Sequence, residues 1–294
     1  MAKKNHSKTK ATSYASAPII DISLSTMEKR VIREIGSDRG SNKKTLLIPI
    51  CFSQPTLIDY DKTHTNTMKN LRHKSNTIFV GFIDDEDHEH RGIDSNDIEN
   101  LLDGNFSKKC KNHNVKIYLS GHADTSYFEL NNEEDLFEIL KGILLEFSVK
   151  SIILDSCHTA DSFEKNWLME KIIKWTTPPY KNEKDAKSRL DRLNIGQENL
   201  AKRFSKVLAQ NGFYGIKVTG FRGEVYHSRV DQHENKSSKY SRYCTFFRGH
   251  NETVKVKSSD ARIVYEDGEC IEHKSQYKDI IKNEDSDTLY AYKI

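Results

Sequence analysis

Four short, continuous apolar segments set the strongest limit on how this chain can fold. They are rich in β-branched residues and too short for buried helices, so each predicts a strand of a sheet that is covered on both faces. Segments with helical spacing lie between some of them. The four segments are TLLIPICF (45–52), TIFVGFI (77–83), VKIYLSG (115–121) and SIILDSC (151–157).

Helical patterns alternate with these predicted strands. The clearest is NNEEDLFEILKGILLEFS (131–148), where Asn132 can cap the helix, acidic residues fill the first turn and the apolar residues form one stripe. Alternating strands and helices are typical of parallel β-α-β units. The sequence therefore predicts an α/β fold, a three-layer sandwich with a mostly parallel central sheet.

The chain divides into three predicted regions. Residues 1–18 carry several lysines but no apolar core of a secretion signal, and they predict a disordered basic tail. A globular domain is predicted for residues 19–250. Alternating sequences in 251–294 predict a small β-rich C-terminal extension.

Charge and cysteine content narrow the class of protein. Lys and Arg number 46 against 43 Asp and Glu, and this balance argues against nucleic acid as a partner. No apolar run in the sequence approaches the roughly 18 residues of a membrane span, so no membrane partner is expected. Five cysteines without a CxxC pair argue against a disulfide framework or a zinc knuckle. A reducing, cytoplasmic location is expected, where a thiol can stay a nucleophile.

A histidine and a cysteine come at the ends of two predicted strands. His122 directly follows the third apolar segment, and Cys157 ends the fourth. If these strands are parallel neighbours, their ends lie about 5 Å apart, at the edge where functional groups collect in open α/β sheets. An imidazole there can act as general base for a thiol, and the N–H groups of Ala123 and Cys157 can stabilise an oxyanion. The alternative is a buried cysteine and a histidine with satisfied hydrogen bonds.

The sequences around these two residues resemble those of a known family. LDSCHTAD (154–161) resembles the cysteine box of the metacaspases, whose sequence is commonly D-S-C-H-S-G. The metacaspases are caspase-like cysteine peptidases of clan CD. LSGHAD (119–124) resembles their histidine box, commonly Y-S-G-H-G. The order of histidine box, helix and cysteine box is also the family's. Ala123 and Ala160 depart from the pattern, because glycine is common at both positions in the family.

The resemblance is close over about fourteen residues and extends as a looser order of elements over 45–222. It implies a caspase-like fold for a peptidase domain at 19–250 and hydrolysis of a protein or peptide substrate by a Cys157/His122 dyad, with no cofactor. Two alternatives stay open: a catalytically silent caspase-like scaffold that binds partner proteins, and acyl or ubiquitin transfer by the same dyad. The oligomeric state is not predicted.

Asp155 is predicted to set the substrate specificity. Side chains two residues apart on a strand share a face, so Asp155 points into the same cleft as Cys157, where a carboxylate can pair with a cationic side chain. In metacaspases the matching aspartate helps to select Arg or Lys before the scissile bond, and we predict cleavage after Arg or Lys. The alternative is a carboxylate held by backbone N–H groups.

Two neighbouring polar residues, Ser120 and Asp124, complete the predicted site, and a third, His158, is left out of it. Ser120 is a candidate for the wall of the cleft. Asp124 is a candidate for orienting His122 or for binding substrate, and a solvated loop carboxylate is the alternative. His158 directly follows the nucleophile and is expected to face away from it, so it is not assigned as the base.

Three other segments carry weaker signals. The acidic stretch 84–94 can supply calcium ligands, as in calcium-activated metacaspases, but it lacks the EF-hand spacing and favours a hydrated loop. The basic stretch 181–192 predicts self-cleavage, and the alternative is an ordinary charged helix or loop. Basic residues in the β-rich part predict either a pocket for inositol hexakisphosphate, as in related toxin-processing domains, or a solvated hairpin; they are Lys236, Lys239, Arg242, Arg248, Lys255 and Lys257.

Overall fold

The apolar segments of the sequence form the middle of one large sheet. The computed structural model describes residues 24–38, 43–52, 67–84, 89–102, 105–123, 125–161, 198–228, 241–248 and 252–273. The strands are β1 (Thr45–Cys51), β2 (Thr77–Phe79), β3 (Phe82–Asp84), β4 (Glu89–Arg91), β5 (Ile93–Asp94), β6 (Asn114–Ser120), β7 (Ser148–Asp155), β8 (Lys217–Phe221), β9 (Glu224–Ser228), β10 (Ser241–Arg248), β11 (Glu252–Lys257), β12 (Arg262–Glu266) and β13 (Glu269–His273). The helices are α1 (Leu24–Ser37), α2 (Ile98–Leu102), α3 (Asn105–Cys110), α4 (Glu133–Glu146), α5 (Leu200–Gln210) and α6 (Ser258–Ala261).

Most neighbouring strands of the central sheet run parallel. Within the described residues the sheet has eight strands in the order β13-β12-β8-β7-β6-β1-β2, and β5 also pairs with β1. The pairs of β1 with β2, β5 and β6 are parallel, as are β6 with β7 and β7 with β8. β12 pairs antiparallel with β8, and β13 pairs antiparallel with β12. The predicted α/β fold with a mostly parallel central sheet is confirmed.

Side chains of the strands alternate between two cores on opposite faces of the sheet. Leu46 and Ile48 of β1 pack into a first core that also contains the buried residues of α4 and α5, whereas Leu47 packs into a second core. Residues 67–72 are helical and contribute to this second core, so helices contact the sheet on both faces. The second core consists of Leu47, Met68, Leu71, Phe79, Tyr118, Ile153, Phe221 and Ala261.

Helix α4 forms where the sequence predicts a capped amphipathic helix. The side chain of Asn132 accepts the N–H of Asp135 at 2.9 Å, and the carboxylate of Asp135 accepts the N–H of Asn132 at 3.2 Å. These two bonds make a complete capping box. Because α4 crosses from β6 to β7, its packing on the first core fixes these two strands as parallel neighbours. Its buried residues are Leu136, Phe137, Leu140, Ile143 and Leu144.

The second apolar segment, 77–83, is divided between two strands rather than forming one. β2 ends at Phe79, and β3 begins at Phe82 and pairs antiparallel with β4. The guanidinium group of Arg30 donates to the carbonyl oxygens of Phe79 and Gly81, both at 2.8 Å. A Cβ atom on Gly81 would lie 2.6 Å from the carbonyl oxygen of Arg91. A long-range cation and a close backbone approach therefore end the strand within an apolar run.

The C-terminal strands divide between two sheets. β9, β10 and β11 form a three-stranded sheet in which β10 pairs antiparallel with both β9 and β11. β12 and β13, which come from the predicted extension 251–294, add two strands to the central sheet. The predicted tail, residues 1–18, lies outside the described residues, as does 274–294.

The helices of the described residues are short. The longest, α1 and α4, have 14 residues each. None of the helices in this part of the chain has the length and apolar character that a membrane crossing requires.

Candidate active site

The two sequence boxes lie at adjacent strand ends. In the parallel pair of β6 and β7, Ser120 lies opposite Asp155, and each is the last residue of its strand. His122 and Cys157 each follow two residues later. The hydroxyl group of Ser156 donates to the carbonyl oxygen of Gly121 at 2.7 Å, which ties the two segments together beyond the sheet. The parallel neighbourhood on which the predicted dyad depends is therefore present.

The thiol of Cys157 lies beside the backbone of β9. The N–H of Val225 donates to its sulfur at 3.3 Å. Cys157 is half-buried, whereas His122 is exposed. Val225 packs against the second core, on the face of the sheet to which Tyr118 and Ile153 also point. The sulfur is therefore held at the carboxyl end of the sheet, next to the second core and within reach of solvent.

The backbone after Cys157 runs alongside the segment that joins β8 to β9. The N–H of His158 donates to the carbonyl oxygen of Gly223 at 2.9 Å, and the N–H of Ala160 donates to that of Phe221 at 3.0 Å. The N–H of Phe221 donates in turn to the hydroxyl oxygen of Thr159 at 2.9 Å. These three bonds attach the cysteine loop, residues 157–161, to the next strand of the sheet.

His158 and Asp161 form a second attachment within the cysteine loop. A ring nitrogen of His158, Nδ1, lies 2.6 Å from Oδ2 of Asp161, which also accepts the N–H of Gly223 at 2.9 Å. Asp161 is fully buried, and His158 has a φ of 57°, in the left-handed region. Asp161 therefore holds the ring of His158 through Nδ1. No role was predicted for Asp161 from the sequence.

Asp155 is the last residue of β7 and is buried. It is 4% exposed, and its Oδ2 accepts a hydrogen bond from the hydroxyl group of Tyr118, which is 2% exposed. Tyr118 lies opposite Ile153 in the pairing of β6 with β7, so it and Asp155 are close on the same face of the sheet. This tyrosine was missed at the sequence level, although the register of two adjacent parallel strands would have identified it.

The segment that carries His122 is held by a turn further along the chain. The N–H of His122 donates to a carboxylate oxygen of Glu129, and the N–H of Glu129 donates to the carbonyl oxygen of His122 at 2.8 Å. Ala123, a predicted oxyanion donor, forms an isolated antiparallel bridge with Phe128. A Cβ atom on Gly121 would lie 2.7 Å from Cγ of Glu129, so this close approach requires glycine.

Other predicted residues have different settings. Ser120 is buried and pairs with Cys51 of β1 as well as with Asp155. Asp124 and the predicted cleavage segment 181–192 lie outside the described residues, as do Lys236 and Lys239. The remaining basic residues of the predicted phosphate pocket lie on β10 and β11; they are Arg242, Arg248, Lys255 and Lys257.

The acidic segment 84–94 contributes to a hairpin and to β5. β3 and β4 pair antiparallel, and residues 85–88 between them lie outside the described residues. His90 is buried, with its Nε2 2.9 Å from Nη1 of Arg72. Within the described residues, no group of three or more histidine, cysteine or acidic side chains is arranged to hold a metal ion.

Two other thiols are chemically quiet because they are buried. Burial raises the pKa of Cys51 to about 12 and also raises the pKa of Cys110 to about 12. Both thiols therefore stay protonated near neutral pH, and protonated thiols are poor nucleophiles. Cys270, on β13, is exposed. These three cysteines serve as internal references for the reactivity of Cys157.

No protein-family model matches the chain, and no curated protein matches it. The resemblance to metacaspases therefore depends on the two short boxes and on the order of elements around them. The geometry of the strand ends is the independent support for a shared site.

Proposed function

We propose that the protein is a caspase-like cysteine endopeptidase that cleaves after Arg or Lys. The observation that carries the proposal is the position of the two boxes at the adjacent carboxyl ends of the parallel strands β6 and β7. This edge is where α/β sheets gather functional groups. The thiol is half-buried and the imidazole that follows the neighbouring strand is exposed. These exposures favour a nucleophile and its base over the alternative of two unrelated buried residues.

In the proposed mechanism, Cys157 is the nucleophile and His122 transfers the proton. The thiol proton passes to the imidazole as the sulfur attacks the carbonyl carbon of the scissile bond, and the carbonyl oxygen becomes an oxyanion. The N–H groups of Ala123 and Cys157 donate to that oxyanion. Collapse of the intermediate expels the amine, which takes the proton from His122, and water then hydrolyses the thioester to release the acid and restore the thiol.

Asp155 is the proposed base of the specificity pocket. It shares the face of Ile153 and Tyr118, precedes Cys157 by two residues and binds the hydroxyl group of Tyr118, and these positions support its assignment to the pocket. Because this carboxylate has little contact with water, its electrostatic attraction to a guanidinium or ammonium group of the substrate is strong. The same preference makes the basic segment 181–192 a substrate, so self-cleavage there is part of the proposal.

Affinity labelling tests the proposed function directly. We expect an arginyl chloromethyl ketone to alkylate Cys157 at least tenfold faster than the exposed Cys270, and to leave Cys51 and Cys110 unmodified. Peptide mapping by mass spectrometry locates the label in each case. Equal rates at Cys157 and Cys270 would instead support a silent scaffold. Products whose mass shows transfer to an amine rather than to water would support a transferase.

Replacing Asp155 with asparagine should change substrate specificity more than the reactivity of the Cys157 thiol. We expect kcat/KM for peptides with Arg or Lys before the scissile bond to fall at least tenfold, because the buried cation loses its charged partner. Alkylation of Cys157 by the small neutral reagent iodoacetamide should change less than twofold. Both rates are measured on the same preparation.

The matched variant is Tyr118→Phe, which keeps the carboxylate and removes one hydrogen-bond donor. We expect a smaller loss than for Asp155→Asn, of about two- to fivefold in kcat/KM. A peptide-library profile dominated by aspartate, or an Asp155→Asn protein that still prefers arginine, would refute the assignment of Asp155.

A further inference from the structure

Residues 128–131 form a two-residue turn of unusual composition. Phe128 and Asn131 exchange two backbone hydrogen bonds, at 2.8 and 2.9 Å. The two central residues, Glu129 and Leu130, have φ values of 48° and 68°. Positive φ at both central positions defines a type I′ turn, which is ordinarily built from asparagine and glycine. A glutamate and a leucine in the left-handed region are sterically unfavourable, so the turn is strained.

Burial of the leucine does not offset this strain. Leu130 is 93% exposed. The turn is instead held by its neighbours: the side-chain amide of Asn131 donates to the carbonyl oxygens of Phe128 and Glu129 at 3.0 and 2.9 Å. Phe128 is fully buried, with its ring edge-on to Phe52 at a centroid distance of 5.3 Å. The surroundings impose the conformation of the turn.

The strained turn holds the backbone of His122 on both sides. The Glu129 carboxylate accepts the N–H of His122, and the Glu129 N–H donates to its carbonyl oxygen. A bond from a peptide N–H to a carboxylate is charge-assisted, and therefore stronger than an ordinary backbone bond. The Cγ of Glu129 also approaches the backbone at Gly121 too closely for any Cβ there.

We infer that Glu129 is a positioning residue for His122. The inference rests on the proposed function, because it supposes that His122 serves Cys157. The strained turn presents the Glu129 carboxylate to the histidine backbone, and this contact sets the imidazole in register with the thiol of the neighbouring strand end. A relaxed asparagine-glycine turn would close the same hairpin but would lack this carboxylate.

Three variants of the turn separate positioning from stability. Leu130→Gly relieves strain, and we expect it to raise Tm by about 2–4 °C with kcat unchanged. Glu129→Ala removes the acceptor, and we expect kcat to fall about tenfold while KM changes less than twofold. Glu129→Gln keeps an acceptor oxygen and should retain at least half of kcat. Glu138→Ala, at an exposed position on α4, is the matched control and should change neither Tm nor kcat.

The double variant Glu129→Ala/Leu130→Gly decides between the two roles. Glu129→Ala alone should lower Tm, because it removes the bond to the His122 N–H, and the relief of strain at Leu130 should offset that decrease. We therefore expect the Tm of the double variant to lie close to the wild-type value while kcat stays about tenfold low. Amide hydrogen exchange at His122 should be at least tenfold faster in both proteins that lack the carboxylate, and this measurement does not require turnover.

The outcomes distinguish the inference from the proposed function. If kcat recovers together with Tm in the double variant, Glu129 has a structural role and the inference is overturned while the peptidase stands. If the wild-type protein cleaves no peptide and His122→Ala leaves the iodoacetamide reactivity of Cys157 unchanged, the proposed function fails, and the role of Glu129 fails with it.

Discussion

Replacing Cys157 or His122 with alanine should lower kcat/KM for an arginyl peptide by a factor of about 10³ or more. The double replacement should cost little more than either single one, because a nucleophile without its base and a base without its nucleophile are comparably inactive. The measurement is a double-mutant cycle on kcat/KM with purified proteins of unchanged Tm. Such non-additivity is the kinetic signature of two groups that act in one step.

Matched controls for this cycle come from the same chain. Cys270→Ala removes an exposed thiol on the edge strand β13, and His73→Ala removes an exposed imidazole just after helical residues 67–72. We expect both to retain activity within twofold. Losses from Cys157→Ala and His122→Ala that simply multiply, or a His122→Ala protein within tenfold of wild type, would show that the two residues do not form a dyad.

The central part of the fold could be predicted because its signals are local. An apolar run such as 45–52 directly predicts a buried strand, and the Asn132 cap with its acidic first turn predicts the start of α4. Parallel pairing then follows from the crossover that α4 makes between β6 and β7. The adjacency of the strand ends that precede His122 and Cys157 follows from that topology and needs no knowledge of side-chain packing.

The contacts that surround the site could not be predicted because they are long-range. Arg30 reaches Phe79 and Gly81 from a separate helix and divides an apolar run that looks continuous in the sequence. The Glu129-Leu130 turn lacks the asparagine or glycine that marks a type I′ turn, so only its φ values reveal it.

The attachment of the cysteine loop to residues 221–225 could not be predicted for the same reason. It is a pairing between two segments that the sequence alone does not bring together.

The same attachment gives the largest expected effect on stability. Asp161→Ala should lower the free energy of unfolding by about 3 kcal/mol, because it leaves the ring of His158 and the N–H of Gly223 without their buried acceptor. The side chain is fully buried, so solvent does not replace it. We expect a decrease in Tm of about 6–12 °C, measured by thermal unfolding together with urea titration.

Two comparison variants test the cause of this loss of stability. Asp161→Asn keeps an oxygen acceptor of the same shape, so we expect it to lose less stability than Asp161→Ala. Glu146→Ala, at the exposed end of α4, should change the free energy of unfolding by less than about 0.5 kcal/mol. Because the cysteine loop carries the proposed nucleophile, Asp161→Ala should also slow alkylation of Cys157 under conditions where the protein remains folded. A stable Asp161→Ala protein with unchanged thiol reactivity would show that the backbone bonds to Phe221 and Gly223 hold the loop without the carboxylate, and that Cys157 owes its position to the sheet alone.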